Sequence, residues 1–204
     1  MRTLTPEILK WFSEGEEDAK RLINLKWEIK EANGVYYLSN EKVPFALLLS
    51  SDDGTVQLMA DTGIETAVLE LRERLSIYRT LLIINRRVDL VKFMLDGLNE
   101  NVFARVDLEK TTLTKDIMDE ALNVLLSALY YAIKALKMEE QFSAMILERI
   151  AMMIEDMEKE GKSRDEIKTY LVTKAGIDDA EAGKLIDEVL GAKNGGKESE
   201  SMYR

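Results

Sequence analysis

Residues 81–129 read LLIINRRVDLVKFMLDGLNENVFARVDLEKTTLTKDIMDEALNVLLSAL and contain the clearest structural pattern in the chain. Two apolar runs, residues 88–95 and 102–108, flank the Gly- and Asn-containing segment 97–101, which predicts an antiparallel hairpin. A long helix then runs from Thr114 to about Met138 and is apolar around most of its circumference. Because both strands carry apolar residues on both faces, we expect both faces of this sheet to be covered.

The sequence before this stretch predicts a helix followed by a meander. Apolar residues recur at helical spacing over residues 5–23, although Gly15 weakens the middle of this helix. From residue 25 to residue 60 the period becomes two, and Asn33-Gly34 is a strong signal for a tight hairpin turn. We therefore expect antiparallel strands joined by short turns.

A second helical block separates the meander from the hairpin. Residues 67–86 have a 3.6-residue pattern, with Arg and Glu residues away from the apolar side. The residues on its apolar side are Val68, Leu71, Leu75, Tyr78, Leu82 and Asn85.

The rest of the chain is predicted to be helical. A capping box, Ser163-x-x-Glu166, begins one of these helices. Residues 193–204 are polar, rich in Gly and Ser and without periodicity, so we predict a disordered tail. The predicted organisation is an α+β domain at residues 1–138, a helical segment at 139–192 and the tail at 193–204.

Composition excludes several kinds of chemistry. The 204 residues include no His and no Cys, which removes thiol nucleophiles, Ser-His triads, imidazole catalysis and zinc sites built on His or Cys. The motif Ser39-x-x-Lys42 matches a serine–lysine acylation motif, but it lies in a predicted hairpin loop. We predict no catalytic, cofactor-binding or metal-binding residues, and hence no enzyme.

The charge balance bears on possible partners. The net charge is −10, which repels phosphate backbones. The last two predicted helices resemble a helix-turn-helix in spacing, but residues 178–190 offer Lys184 against five acidic residues. We therefore predict no nucleic-acid partner and interpret this helical pair as a protein-docking module.

Targeting signals and membrane spans are not predicted. Residues 1–7 lack an apolar signal region, and no apolar run approaches the roughly 18 residues that a span needs. We expect a cytoplasmic protein without a membrane partner. The absence of Cys, with Gln only at Gln57 and Gln141, is typical of heat-loving sources.

The order of elements resembles a known fold. Residues 81–129, with Leu82 to Asn85, Lys92-Phe93-x-Leu95-Asp96 and Arg105-x-Asp107-Leu108, are similar to the type III secretion chaperone-like fold. The closer resemblance is to the bacterial sensory-transduction-regulator branch of that superfamily. The resemblance covers roughly residues 5–137 and implies an α-βββ-α-ββ-α arrangement of an antiparallel sheet flanked by helices. It also implies a non-catalytic, usually dimeric protein that holds a segment of another protein, whereas residues 139–192 have no counterpart in the secretion chaperones.

Our leading functional hypothesis is a chaperone-like adaptor that binds a protein or peptide segment and forms a homodimer. We assign the partner or dimer surface to the hairpin, to the long helix 114–137 and to the helical stretch at residues 138–157. That stretch holds five of the chain's ten methionines and is called the methionine-rich helix below. The residues assigned are Leu90, Met94, Phe103, Phe142, Met145, Met152 and Met153. The alternatives are a small-ligand sensor or an enzyme that uses only Asp, Glu, Lys, Tyr and Ser, and a structural subunit of a larger assembly. For the methionines, packing in an irregular helical core is also open.

Overall fold

The computed structural model describes the backbone of residues 4–200 and the side chains of residues 4–191. The chain divides into two compact units, residues 1–138 and residues 139–204. The first unit is an antiparallel sheet with helices and the second is helical, which confirms the predicted α+β class with a helical C-terminal part. Residues 201–204 of the predicted disordered tail, and all side chains beyond residue 191, lie outside the described part.

The first unit contains one six-stranded sheet, in the order β1-β2-β3-β4-β6-β5, in which every neighbouring pair is antiparallel. The four-stranded meander has one strand more than the α-βββ-α-ββ-α scheme. The six strands of the sheet are β1 Glu28–Ala32, β2 Val35–Asn40, β3 Val43–Ser51, β4 Thr55–Glu65, β5 Val91–Asp96 and β6 Asn101–Glu109. Its helices are α1 Pro6–Ser13, a 3-10 helix Leu22–Asn24, α2 Leu71–Arg87 and α3 Lys115–Ala135.

The core of this unit lies between one face of the sheet and the helices. Side chains on β3, β4 and β6 alternate between buried and more exposed positions, so only one face is fully covered. The expectation that both faces would be covered is therefore wrong for this unit. The fully buried centre of the core includes Leu47, Leu49, Leu58, Val106, Met118, Leu122, Leu125 and Leu129.

The long helix α3 belongs to this core. Eight of its residues are buried, and Tyr130 packs edge-on against Phe45 of β3 with ring centroids 5.7 Å apart. Its apolar stripe covers the sheet, so much of the helix surface that was assigned to a partner or dimer is buried within this unit. Only Ile117, Tyr130 and Tyr131 are exposed among its large hydrophobic residues.

The first helix ends earlier than predicted. It stops at Ser13, and residues 16–25 return alongside it, with the Glu16 N–H donating to the Asn24 carbonyl at 2.7 Å. At Gly15 the backbones approach so closely that a Cβ would lie 2.2 Å from the Leu25 carbonyl oxygen. Only glycine fits this crossing, which is why the helical spacing beyond residue 15 was misleading.

The first hairpin turn forms as predicted. Asn33 and Gly34 have φ of 54° and 77°, and the register pairs Ala32 with Val35. Positive φ at both central residues is what a two-residue turn needs to match the twist of its strands.

The second unit consists of α4 Glu139–Lys159, α5 Arg164–Thr173 and α6 Asp179–Glu200. The predicted capping box is confirmed, because Ser163 and Glu166 bond reciprocally at the start of α5. All three helices contribute to a core of Ile154, Ile167, Leu171, Ala182 and Ile186.

Candidate protein-docking surface

Helix α2 has two apolar stripes, and only one of them is buried. Its buried stripe is Ile77, Leu81 and Ile84. The stripe predicted from the sequence lies beside it and remains largely exposed: Leu71, Leu75 and Leu82 are 66%, 57% and 68% exposed, and Tyr78 is half-buried. Leu71, Leu75, Tyr78 and Leu82 are called the α2 seam below.

The spacing of the seam is that of a helix-pairing surface. Its residues are separated by four, three and four positions, and Asn85 continues the pattern after three more. A three–four alternation keeps apolar residues along the line of contact with a second helix. Three neighbouring leucines exposed in one stripe on a small domain indicate an interaction surface more than ordinary surface composition.

The seam is extended by two apolar residues near the start of α2. Val68, just before the helix, and Leu98, in the β5–β6 turn, are highly exposed. They lie at the same end of the unit, because the Ala67 N–H donates to the Asn99 carbonyl at 3.1 Å. The helix itself begins at Leu71, four residues later than predicted, so Val68 is not part of it.

A groove lies between α2 and the edge strand β5. Its volume is about 270 Å³, and its lining is mainly apolar: Tyr78, Leu81, Leu82, Asn85, Phe93, Met94 and Leu95. Asn85 provides polar groups in the lining, but its side chain is engaged by Phe93. Its Oδ1 accepts from the Phe93 N–H at 2.7 Å, and its Nδ2 donates to the Phe93 carbonyl at 3.0 Å.

A polar cluster fixes the first half of α2 to the β5–β6 turn. The Glu100 carboxylate accepts hydrogen bonds from Tyr78 and Arg74, both at 2.5 Å, and from Thr66 at 3.3 Å. The hydrogen bond from Tyr78, together with that from Arg74, lowers the pKa of Glu100 below its ordinary value. These bonds hold Tyr78 in the seam at a defined position.

Charge along α2 is unlike that of the whole chain. The helix carries five arginines and one glutamate, whereas the chain has a net charge of −10. Arg72, Arg79 and Arg86 follow one another at seven-residue spacing along one flank of the seam, and all three are exposed. We call them the arginine row; none of them pairs with an acidic side chain among the residues that the structure describes.

The predicted residues of the hairpin are partly brought together. Met94 on β5 lies directly opposite Phe103 on β6, and both are half-buried on the sheet face opposite the core. Leu90 does not join them, because β5 begins at Val91 and not at residue 88. Leu90 has a φ of 68° and is exposed ahead of the strand.

The open sheet face has apolar residues at its centre. A single cross-strand row joins Tyr37, Leu48, Met59 and Arg105 on β2, β3, β4 and β6. Leu48 and Met59 are half-buried, and Tyr37 is exposed. With Met94 and Phe103 they form what we call the open-face patch: Tyr37, Leu48, Met59, Met94 and Phe103.

The predicted residues on α4 fall into two groups. Met153 packs against the core of the second unit. Met145 and Met152 are exposed, and Phe142 is half-buried. Core packing therefore applies to Met153, and the partner surface stays a prediction for Phe142, Met145 and Met152.

Acidic clusters and the Ser39-x-x-Lys42 motif are two arrangements that could carry chemistry in the described part of the chain. No cluster of three or more acidic residues suited to a metal ion occurs there. Ser39 lies in strand β2, and the Lys42 Nζ donates to the Glu17 carbonyl and to Asp18. No helix among the described residues is long and apolar enough to cross a membrane.

The seam leucines and the arginine row were not identified as site residues from the sequence. The signal was present, since the three–four spacing and the arginines at every seventh position can be read directly. What it could not reveal is which of the two apolar stripes of α2 faces the core.

Comparison with protein families matches most of the first unit. A family model described as a domain of unknown function, DUF8183, matches residues 7–136. The chain belongs to this family. A second model, also described as a domain of unknown function and labelled HTH_78, matches residues 137–204. No curated protein matches the chain.

Solved structures similar to the chain include three with low sequence identity. An uncharacterized protein from Methanothermobacter thermautotrophicus is 16% identical with a TM-score of 0.45, covering 67% of this chain and 96% of that one. YbjN, a putative transcription regulator from E. coli, is 16% identical with a TM-score of 0.40, and the match covers 52% of this chain and 81% of that one. A chain of the heterodimeric ExoU-SpcU complex from the type III secretion system of Pseudomonas aeruginosa is 10% identical with a TM-score of 0.39. The match covers 62% of this chain and 94% of that one.

Proposed function

We propose that this protein is a non-enzymatic, chaperone-like adaptor that binds a segment of another protein and acts as a homodimer. The observation that supports it is the exposed α2 seam, where Leu71, Leu75 and Leu82 form a stripe with helix-pairing spacing. Covering three leucine side chains of this size contributes several kcal/mol of apolar burial to a partner, at roughly 25 cal/mol per Å². The proposal keeps the expected cytoplasmic location.

The seam is assigned to the partner, and the open-face patch is assigned to the homodimer. The patch is central on a sheet face whose side chains are only half covered, and Met94 and Phe103 lie side by side in it. A two-fold axis through such a face would bring the same residues of both copies together.

The docking assignment is tested by a photo-crosslinking amino acid at position 75 or 82 of the full chain in cells. We expect crosslinks to a defined protein segment, which disappear when the other seam leucine is replaced by Ser. A crosslinker at Glu120, exposed on α3, is the control position. No crosslinked protein at either seam position would overturn the assignment.

The homodimer is tested by sedimentation equilibrium of the full chain. We expect a dimer that dissociates in Phe103→Asp, since a buried unpaired carboxylate is costly at an interface. Lys134→Glu, exposed on α3 away from this sheet face, is the control and is expected to leave the dimer intact. A wild-type monomer at all concentrations would contradict the homodimer.

The groove beside the seam favours one alternative, a sensor of a small apolar ligand. Its volume of about 270 Å³ lies just below the range of ordinary ligand pockets, so only a small molecule would fit. A thermal-shift screen of metabolites separates the two functions. A specific shift abolished by Leu82→Trp, which fills the groove, would favour the sensor over the adaptor.

A further inference from the structure

We propose that the segment bound by the α2 seam is an amphipathic helix whose apolar stripe is flanked by acidic residues. This inference rests on the proposed function and specifies the chemistry of its partner. Two features of α2 lead to it, the spacing of the seam and the charge of the flank beside it.

The spacing favours a helix as the occupant. Leu71, Leu75 and Leu82 extend over three turns of α2 in a three–four alternation that a second helix can match along its length. An extended strand would instead add to a free sheet edge. At β5 that edge is occupied at Phe93, because Asn85 bonds both its N–H and its carbonyl.

The arginine row determines the charge of the occupant. Arg72, Arg79 and Arg86 stand at the positions that face the flank of a paired helix, and each is exposed. An acidic side chain on a docking helix would meet one arginine at each heptad. Such pairs direct the choice of partner and its orientation more than they add affinity.

The same row argues against a second copy of α2 as the occupant. In an antiparallel pair, equivalent flanks face each other, so the two arginine rows would lie side by side. In a parallel pair, the row would face the flank that carries Arg74 and Leu81, which offers no acidic group. Self-pairing through the seam is therefore repulsive in the antiparallel orientation and gains no ion pair for the row in the parallel one.

The row also resembles a basic stripe for nucleic acid, but the seam disfavours that use. A phosphate backbone would neutralise the arginines and leave Leu71, Leu75 and Leu82 exposed to water. An acidic amphipathic helix satisfies the charge and covers the leucines together.

The test uses two synthetic helical peptides of about four heptads. Both carry leucines at three–four spacing; one has Glu at every flanking position and the other has Lys. Like charges on the flanks oppose self-pairing of each peptide. Fluorescence anisotropy with the full chain measures both affinities at about 50 mM and about 500 mM salt, where the Debye length differs several-fold.

We expect the Glu peptide to bind about tenfold more tightly than the Lys peptide at low salt, with the ratio falling at high salt. The triple variant Arg72→Glu, Arg79→Glu, Arg86→Glu should invert the preference. The matched control is Lys10→Glu, Lys20→Glu, Lys26→Glu, which changes the net charge equally at exposed positions elsewhere and should keep the preference. Leu75→Ser with Leu82→Ser should abolish binding of both peptides.

Three results would overturn the inference. Equal affinity for the two peptides, or no binding of the Glu peptide, would rule out an acidic helix as the bound segment. Crosslinks at position 75 or 82 would in that case still support the adaptor function. Loss of the dimer in Leu75→Ser with Leu82→Ser, but not in Phe103→Asp, would assign the seam to a second copy. Duplex DNA binding that is lost in the triple arginine variant would assign the row to nucleic acid.

Discussion

The side-chain amide of Asn85 pairs with the backbone of Phe93 as a neighbouring strand would. Its oxygen accepts from the Phe93 N–H at 2.7 Å, and its nitrogen donates to the Phe93 carbonyl at 3.0 Å. Phe93 lies at the middle of β5, the edge strand of the sheet. Unpaired edges invite addition of a strand from another chain, so one side chain both fixes α2 to the sheet and protects its edge.

Replacing Asn85 by Ala is therefore expected to destabilise the first unit by about 1–3 kcal/mol, because two hydrogen bonds are lost and the backbone groups of the buried Phe93 are left unpaired. Asn85→Asp should not preserve the stability of the wild type, since a carboxylate oxygen would face the Phe93 carbonyl in place of the amide N–H. Urea unfolding followed by circular dichroism measures the change. Asn99→Ala, at an exposed turn position, is the control; an equal effect of both variants would contradict the role of Asn85.

The close backbone approach at Gly15 leads to a second prediction about stability. A Cβ at this position would lie 2.2 Å from the Leu25 carbonyl oxygen and 2.4 Å from that of Asn24, so the backbone must shift to admit it. We expect Gly15→Ala to lower the free energy of unfolding by about 3 kcal/mol, at the upper end of ordinary overpacking. Gly54→Ala is the control, because a Cβ there would meet nothing within 4 Å. A small effect at Gly15 equal to that at Gly54 would show that the crossing is not tight.

Much of the fold could be predicted from local patterns. The Asn33-Gly34 turn and the Ser163–Glu166 capping box depend on a few adjacent residues, and both are present in the structure. The end of α1 at Ser13 could not be predicted in the same way. It depends on residues 16–25 crossing close to Gly15, which is a tertiary contact.

The candidate site was harder to predict for a related reason. Leu75 and Ile77 are both apolar residues on the same helix, and only packing against the sheet shows that Ile77 is buried and Leu75 is not. Met94 and Phe103 were predictable as neighbours because strand alternation places them on one face. Leu90 was misplaced because the strand starts one residue after it, so the alternation does not extend back to Leu90.

The turn between β3 and β4 is predicted to make stability depend on acid pH. Asp52 accepts hydrogen bonds from the backbone and side chain of Thr55, from the Gly54 N–H and from Gln57. These bonds, and that of the Thr55 N–H above all, lower the pKa of Asp52 to about 2. A carboxyl whose pKa is lower in the folded state stabilises it above the unfolded value of 3.8, and this contribution is lost as pH falls toward 2.

The Asp52→Asn variant should therefore be less stable than the wild type at neutral pH, and the difference should shrink as pH falls from about 4 to about 2. Thermal unfolding across that range measures it, with Asp96→Asn, an exposed carboxyl at the end of β5, as the control. A difference that stays constant with pH would contradict the ionised carboxylate as the cause.

The last two helices are predicted not to bind DNA, although the second family model carries the abbreviation of helix-turn-helix in its label. Both basic residues of α5 are already paired with acidic residues of α6: Arg164 with Asp187, and Lys168 with Asp179 at 2.8 Å. The exposed surface at the start of α6 is acidic, whereas a recognition helix needs a basic one.

Anisotropy of a mixed-sequence DNA duplex with the full chain at about 50 mM salt tests this, since phosphate contacts are strongest at low salt. We expect no saturable binding by the wild type or by the triple Arg72→Glu, Arg79→Glu, Arg86→Glu variant. Replacing Asp179, Glu181 and Glu188 by Lys should create weak, salt-sensitive binding and serves as the positive control. Saturable wild-type binding that survives in the arginine variant and is strengthened by the three lysines on α6 would contradict the prediction, because the arginine row would then not be what holds the phosphates.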